Sequence, residues 1–147
     1  MTESPSRPLP ELDDPVVGPF WASARERRLV FQRCEHCGHL RWPPEAGCPE
    51  CLTPGGTWTE VEGAGEVWSF VIYDHPFDPA FRGEIPYNVA LVQLDAGPRL
   101  ITNIVGVKSD ELRVGMRVVV EFENVTPAVT LVRFRPVGEA YAGLPAR

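Results

Sequence analysis

Four cysteines, Cys34, Cys37, Cys48 and Cys51, stand together in the stretch "RCEHCGHLRWPPEAGCPEC". They form two C-x2-C pairs with ten residues between them. A two-residue gap lets both thiolates of a pair face one centre about 2.3 Å from each sulfur, and a second pair returned by a hairpin completes a tetrahedron. Gly38 follows Cys37 where such a turn calls for positive φ, and Pro49 stiffens the turn inside the second pair. Two disulfides would need an oxidising compartment, which nothing in the chain points to. A thioredoxin-type motif would need a single C-x-x-C after a strand of a βαβ unit. The spacing therefore predicts a metal site. With four protein ligands it is closed, has no position for water or substrate, and is structural. Its work is to fold about 25 residues, too few to build a core of their own. Rubredoxin-type iron uses the same ligands, but nothing here indicates electron transfer, so zinc is expected. His36 and His39 are expected to be exposed loop residues beside the first pair.

Outside this cluster little could do covalent chemistry. The chain has no G-x-S-x-G, phosphate loop, G-x-G-x-x-G or H-E-x-x-H. His75 is the one histidine beyond the cysteine region, with Asp74 and Asp78 nearby and Ser69 six residues earlier. Six residues of strand span roughly 20 Å, which keeps Ser69 from His75. A stand-alone acyl-thioester hydrolase or transferase using His75 and Asp78 is the weakest of the readings weighed. Alone, the chain is expected not to be a catalyst.

The elements around the cysteines follow from pattern. Phe20, Trp21 and Ala24 share one side at helical spacing, opposite Arg25, Glu26 and Arg28. A short amphipathic helix is expected over 19–27, with Pro19 in its first turn. The Arg25–Arg28 cluster is either a solvated face or a contact for phosphates or an acidic surface. "LVFQRC" alternates into the first pair and "HLRWPP" returns from it. After residue 56 the pattern is β throughout: "TWTEVEG", "GEVWSFVIYDH", "YNVALVQLD", "RLITNIVGV", "MRVVVEFENV" and "TLVRFRPV". Alternation sets Phe70 and Ile72 on the face opposite Ser69 and Val71; it suggests the former pair for the barrel interior but does not by itself decide which face is outside. The predicted fold class is mainly β: an N-terminal arm and helix over 1–28, a rubredoxin-like zinc ribbon over 29–56, and a small closed barrel of OB-fold type over 57–147. The first dozen residues are expected to be a loose arm. One connection, "DHPFDPAFRGEIP", is long and carries three prolines with Phe77, Phe81 and Ile85. It is read as a flap on its own barrel or as the lip of a ligand site.

The formal net charge is −6, and neither half is basic: 6 basic residues stand against 8 acidic up to residue 56, and 8 against 12 after it. That disfavours nucleic acid, whose binders carry a positive footprint. A single-strand nucleic-acid-binding OB module, stacking bases on Trp68, Phe70 and Tyr73, is the alternative reading. No apolar run approaches the ~20 residues of a membrane helix, and the polar, acidic start lacks a signal-peptide pattern, so a cytoplasmic location is expected.

The order of "PFWASARERRLVFQRC", the paired knuckles with "PP" between them, and "IPYNVALVQLDAGPRLITNIVG" resembles the zinc-ribbon and OB-fold proteins catalogued as domain of unknown function 35, also described as acyl-CoA-associated. The likeness covers residues from about 16 to 136. It implies an accessory subunit that complexes with a thiolase-superfamily partner: a thiolase, an acyltransferase, or an aldolase acting on steroid side chains as CoA thioesters. Steroid or lipid metabolism is the implied setting, and a CoA thioester the implied ligand. On that basis His75, Phe77, Phe81, Arg82, Pro86, Tyr87 and Arg99 are expected to bind or channel acyl-CoA. Apolar walls suit an acyl or pantetheine path, and guanidinium groups suit its phosphates. Phe20, Trp21, Arg25 and Arg28 are expected at the partner interface.

Overall fold

The computed structural model describes residues 6–137; residues 1–5 and 138–147, the outer parts of the expected arm and of the OB segment, lie outside it. The helix forms over Gly18–Arg25 (α1). Its start is tied by Asp14, whose Oδ1 accepts from the backbone N–H of Val16 and Val17 and whose carbonyl accepts from Gly18. The arm is less loose than its composition predicts. Arg7 donates to both carboxylate oxygens of Glu84 at 2.7 and 2.8 Å, and its guanidinium lies over the Phe81 ring. A contact spanning that much sequence leaves no local pattern.

Three short strands, β1 (Val30–Arg33), β2 (Leu40–Arg41) and β3 (Thr57–Glu60), make one antiparallel sheet in the order β2-β1-β3. The "TWTE" strand thus pairs with β1, Phe31 opposite Thr59 and Arg33 opposite Thr57, and belongs to the ribbon's sheet. Alternation identifies a strand but not its neighbour. The second sheet has five antiparallel strands: β4 (Ala64–Tyr73), β5 (Tyr87–Leu94), β6 (Arg99–Thr102), β7 (Arg117–Asn124) and β8 (Thr130–Pro136), in the order β6-β5-β4-β7-β8. It curls until its edges touch at one rung, an isolated parallel bridge between Ile104 and Phe134. Among the described residues the barrel is therefore closed at a single point, not along a full strand.

On β5 the burial alternates strictly, with Asn88, Ala90, Val92 and Leu94 inside. On β4 a bulge between Val67 and Ser69 breaks the alternation, so that Trp68 and Ser69 are both exposed while Phe70 and Ile72 turn toward the core. Gly65 has no room for a side chain: a Cβ there would stand 2.3 Å from the Gln93 carbonyl oxygen on β5.

One core serves both sheets. Phe20 on α1 is 1% exposed and lies against Trp42 (ring centroids 4.3 Å apart) and Phe31 (6.3 Å) of the ribbon. The same helix packs on β7 and β8. Between the sheets the chain runs through Val61–Gly63. Val61 donates to the Leu29 carbonyl on one side, and the Gly63 carbonyl accepts from Val120 on the other. No helix among the described residues is long and apolar enough to cross a membrane.

Candidate functional site

The two cysteine pairs sit on matching knuckles. In the first, Cys34 N–H donates to the His39 carbonyl and the Cys34 carbonyl accepts from Gly38 N–H. In the second, Cys48 N–H donates to Thr53 and the Cys48 carbonyl accepts from Leu52. Each turn needs one residue at positive φ, Gly38 at 77° and Leu52 at 65°. The glycine was the expected choice; the leucine shows that the second knuckle meets the same demand with strain.

All four sulfurs lie within 4.8 Å of one another. Cys34 and Cys51, and likewise Cys37 and Cys48, are 3.6 Å apart. That is far beyond a disulfide's ~2.05 Å and close to the ~3.75 Å edge of a tetrahedron with 2.3 Å zinc–sulfur arms. The donor set fits zinc. Below the second knuckle the Arg41 guanidinium is buried and donates to the carbonyls of Glu45 (3.0 Å) and Gly55 (2.7 Å). Gln32 accepts from Glu45 N–H at 2.8 Å. Both side chains fasten the base of the metal loop, and neither was singled out from the sequence.

Within the folded loop the thiol environments differ. The Thr53 hydroxyl and backbone beside Cys51 bring its thiol down to about 6. Cys34 is lowered by backbone hydrogen bonding from Cys37. At Cys37 the His39 backbone pulls the thiol down, but desolvation and the neighbouring sulfurs outweigh it and push the thiol up to about 12. Zinc needs thiolates, so protons compete with it and affinity falls as pH falls. Released from this geometry in the metal-free chain, unstructured thiols are largely protonated at pH 7, so zinc uptake there should expel close to four protons per ion. Titration of the metal-free chain in weak buffer with a pH indicator checks this count.

A second site lies on the barrel, a cavity of about 960 Å³. One wall is aromatic: Tyr73 stacks on Tyr87 at 5.1 Å, Phe77 meets Tyr73 edge-on at 5.9 Å, and Phe81 tilts against Tyr87 at 5.5 Å. The long connection supplies this wall through a 3₁₀ turn at Pro79–Phe81, begun by Asp78, whose carboxylate accepts from Ala80 N–H. The opposite wall is polar and arises where the barrel closes. Arg133, only 13% exposed at its side chain, donates to Glu123 and to Asn103, and Asn103 in turn donates to the Asn88 carbonyl. Asn88 holds the backbone after β6 in place. Its amide donates to the Ile104 carbonyl at 2.8 Å and its carbonyl accepts from Ile104 N–H at 2.7 Å. Arg7 and Glu84 form the rim.

Of the residues expected to line an acyl path, Phe77, Phe81, Pro86 and Tyr87 come together here. His75, Arg82 and Arg99 are not among the lining residues. His75 leans edge-on against Phe77, and Arg99 lies over the Trp68 ring at 4.1 Å while donating to Gln93. Arg7, Asn88, Asn103 and Arg133 are the polar members that sequence reasoning missed. Among the expected interface residues, Phe20 is spent inside the chain and Trp21 packs partly on the core, whereas Arg25 and Arg28 remain at the surface.

Family models for the ChsH2 rubredoxin-like zinc ribbon domain and the ChsH2 C-terminal OB-fold domain match residues 21–55 and 58–123. A Thermomonospora curvata protein named "Probable enoyl-CoA hydratase alpha subunit" is 46% identical over 118 residues, covering 80% of this chain but 36% of its own length. The chain thus spans about a third of that relative. A "DUF35 domain-containing scaffold protein" of Pyrococcus furiosus is 31% identical over 128 residues, covering 82% of this chain and 93% of its own. Among solved structures, a chain of an "Ltp2-ChsH2(DUF35) aldolase" superposes with a TM-score of 0.78 at 42% identity, covering 88% of this chain and 98% of that one.

Proposed function

Because the chain belongs to the DUF35 family, we propose that it is a non-catalytic accessory subunit that binds or channels an acyl-CoA thioester beside a thiolase-superfamily partner. The observation that carries this reading is the cavity, aromatic on one wall and polar on the other, with Arg133 in the polar wall. An apolar acyl or pantetheine segment fits the Tyr73–Phe81–Tyr87 wall, and its carbonyl and amide groups fit the donors of Asn103 and Arg133. Subunit names among the relatives, a hydratase alpha subunit and an aldolase of two named components, support an assembly with an enzyme. The cysteine centre serves this role as structure, holding the half of the molecule on which α1 rests.

A tagged copy recovered from its native host should bring down a thiolase-fold enzyme. Octanoyl-CoA titrated into that complex should bind about tenfold more weakly when Phe81→Ala removes the wall, a loss in keeping with burial of one aromatic ring. Recovery of the chain alone, or an affinity that Phe81→Ala leaves unchanged, would overturn the reading.

A further inference from the structure

β4 pairs with β5 along its whole length, but with β7 only over Ala64–Glu66, plus one further rung at Val67 to Gly115 and Met116. Pairing with β7 goes no further, and the bulge at Trp68 lies in the ladder with β5, which resumes at Ser69. Among the described residues no strand pairs with the far edge of Ser69–Tyr73. That stretch reads S-F-V-I-Y and holds no charge, proline or glycine. Edge strands are ordinarily guarded by lysine, proline or an inward charge, because bare N–H and C=O groups invite another strand. This one is unguarded. On its outer face Val71 is 53% exposed beside Trp68 at 47%; on its inner face Phe70 and Ile72 pack against the core. A strand laid along it would meet apolar neighbours on both faces, so it must itself be apolar on both.

We propose that this edge pairs antiparallel with the same edge of a second copy of the chain, about a two-fold axis through Val71. The copy offers the occupant the site calls for, a run of uncharged β-branched and aromatic residues. The register sets Val71 against Val71, Phe70 against Ile72 and Ser69 against Tyr73, and Trp68 faces Asp74, so no like charges oppose each other. Five residues give a ladder of about 17 Å, a small interface, and the dimer is accordingly weak and concentration-dependent. The inference is independent of the acyl-CoA reading.

Sedimentation velocity on the purified, zinc-loaded chain should show a shift toward dimer as concentration rises. Val71→Lys, which sets two ammonium groups against each other at the axis, should raise the dimer dissociation constant about tenfold or more. Ile101→Lys, at a still more exposed residue two strands away on the same sheet, should leave it unchanged. On mild oxidation Val71→Cys should give a covalent dimer and Ile101→Cys should not. A chain that stays monomeric throughout overturns the proposal. So does a dimer that survives Val71→Lys, which assigns the contact to another surface, or an edge occupied only by a strand from a different protein.

Discussion

Cys48→Ser is expected to yield a chain that holds no stoichiometric zinc and whose ribbon is unfolded. Cys48 is 1% exposed, its sulfur is 3.6 Å from that of Cys37, and its backbone makes both hydrogen bonds of the second knuckle. The sheet around it consists of β1, β2 and β3, too short to stand on hydrophobic burial. Structural zinc in segments of this size supplies on the order of 10 kcal/mol of folding free energy. Losing one ligand therefore removes the largest single source of order in this half of the molecule. Metal content by mass spectrometry, together with amide exchange, checks it: protection should vanish in β1–β3 and persist in β5 and β7. Chelation of the unaltered chain should reproduce the pattern. A variant that keeps protected β1–β3 amides without metal would show that the centre is not what folds the ribbon.

Phe20→Ala is expected to cost about 3–5 kcal/mol, the usual range for emptying a fully buried aromatic site. Against a total of about 5–15 kcal/mol for a domain, that is a large share. Phe20 touches three aromatic rings, Trp21, Phe31 and Trp42, and rides on a helix that also packs against β7 and β8. Its removal opens a void at the meeting of the two sheets, so the unfolding transition should both shift and split. Urea titration followed by tryptophan fluorescence and by far-ultraviolet circular dichroism should give coincident curves for the parent chain and separated ones for Phe20→Ala. A loss below about 1 kcal/mol, with the curves still coincident, would place the joint elsewhere.

The metal centre was fully legible in the sequence because a C-x2-C knuckle is local: four residues determine where two sulfurs point. The strands of the barrel were legible for the same reason, since "YNVALVQL" carries its inside and outside in plain alternation. What could not be read depends on which strands meet. Asn88 sits in that alternation as an ordinary inward residue, yet it becomes the clamp on Ile104 only once the sheet curls. Asn103 and Arg133 lie thirty residues apart on opposite edges and touch only at the closing rung. Arg7 reaches Glu84 across 77 positions, and no periodicity encodes such a contact. Phe77, Phe81 and Tyr87 were legible as a group because they crowd into one stretch; Asn88, Asn103 and Arg133 were not, because they do not.

The short passage from Val61 to Gly63 gives the molecule a mechanical character. It is bonded to the ribbon at Leu29 and to the barrel at Val120, and a Cβ at Gly63 would stand 2.2 Å from the Val120 side chain. There is no slack in it for a hinge. The two halves thus behave as arms of one lever, with α1 wedged at the fulcrum. A protein that grips the ribbon thereby also sets the direction in which the cavity faces.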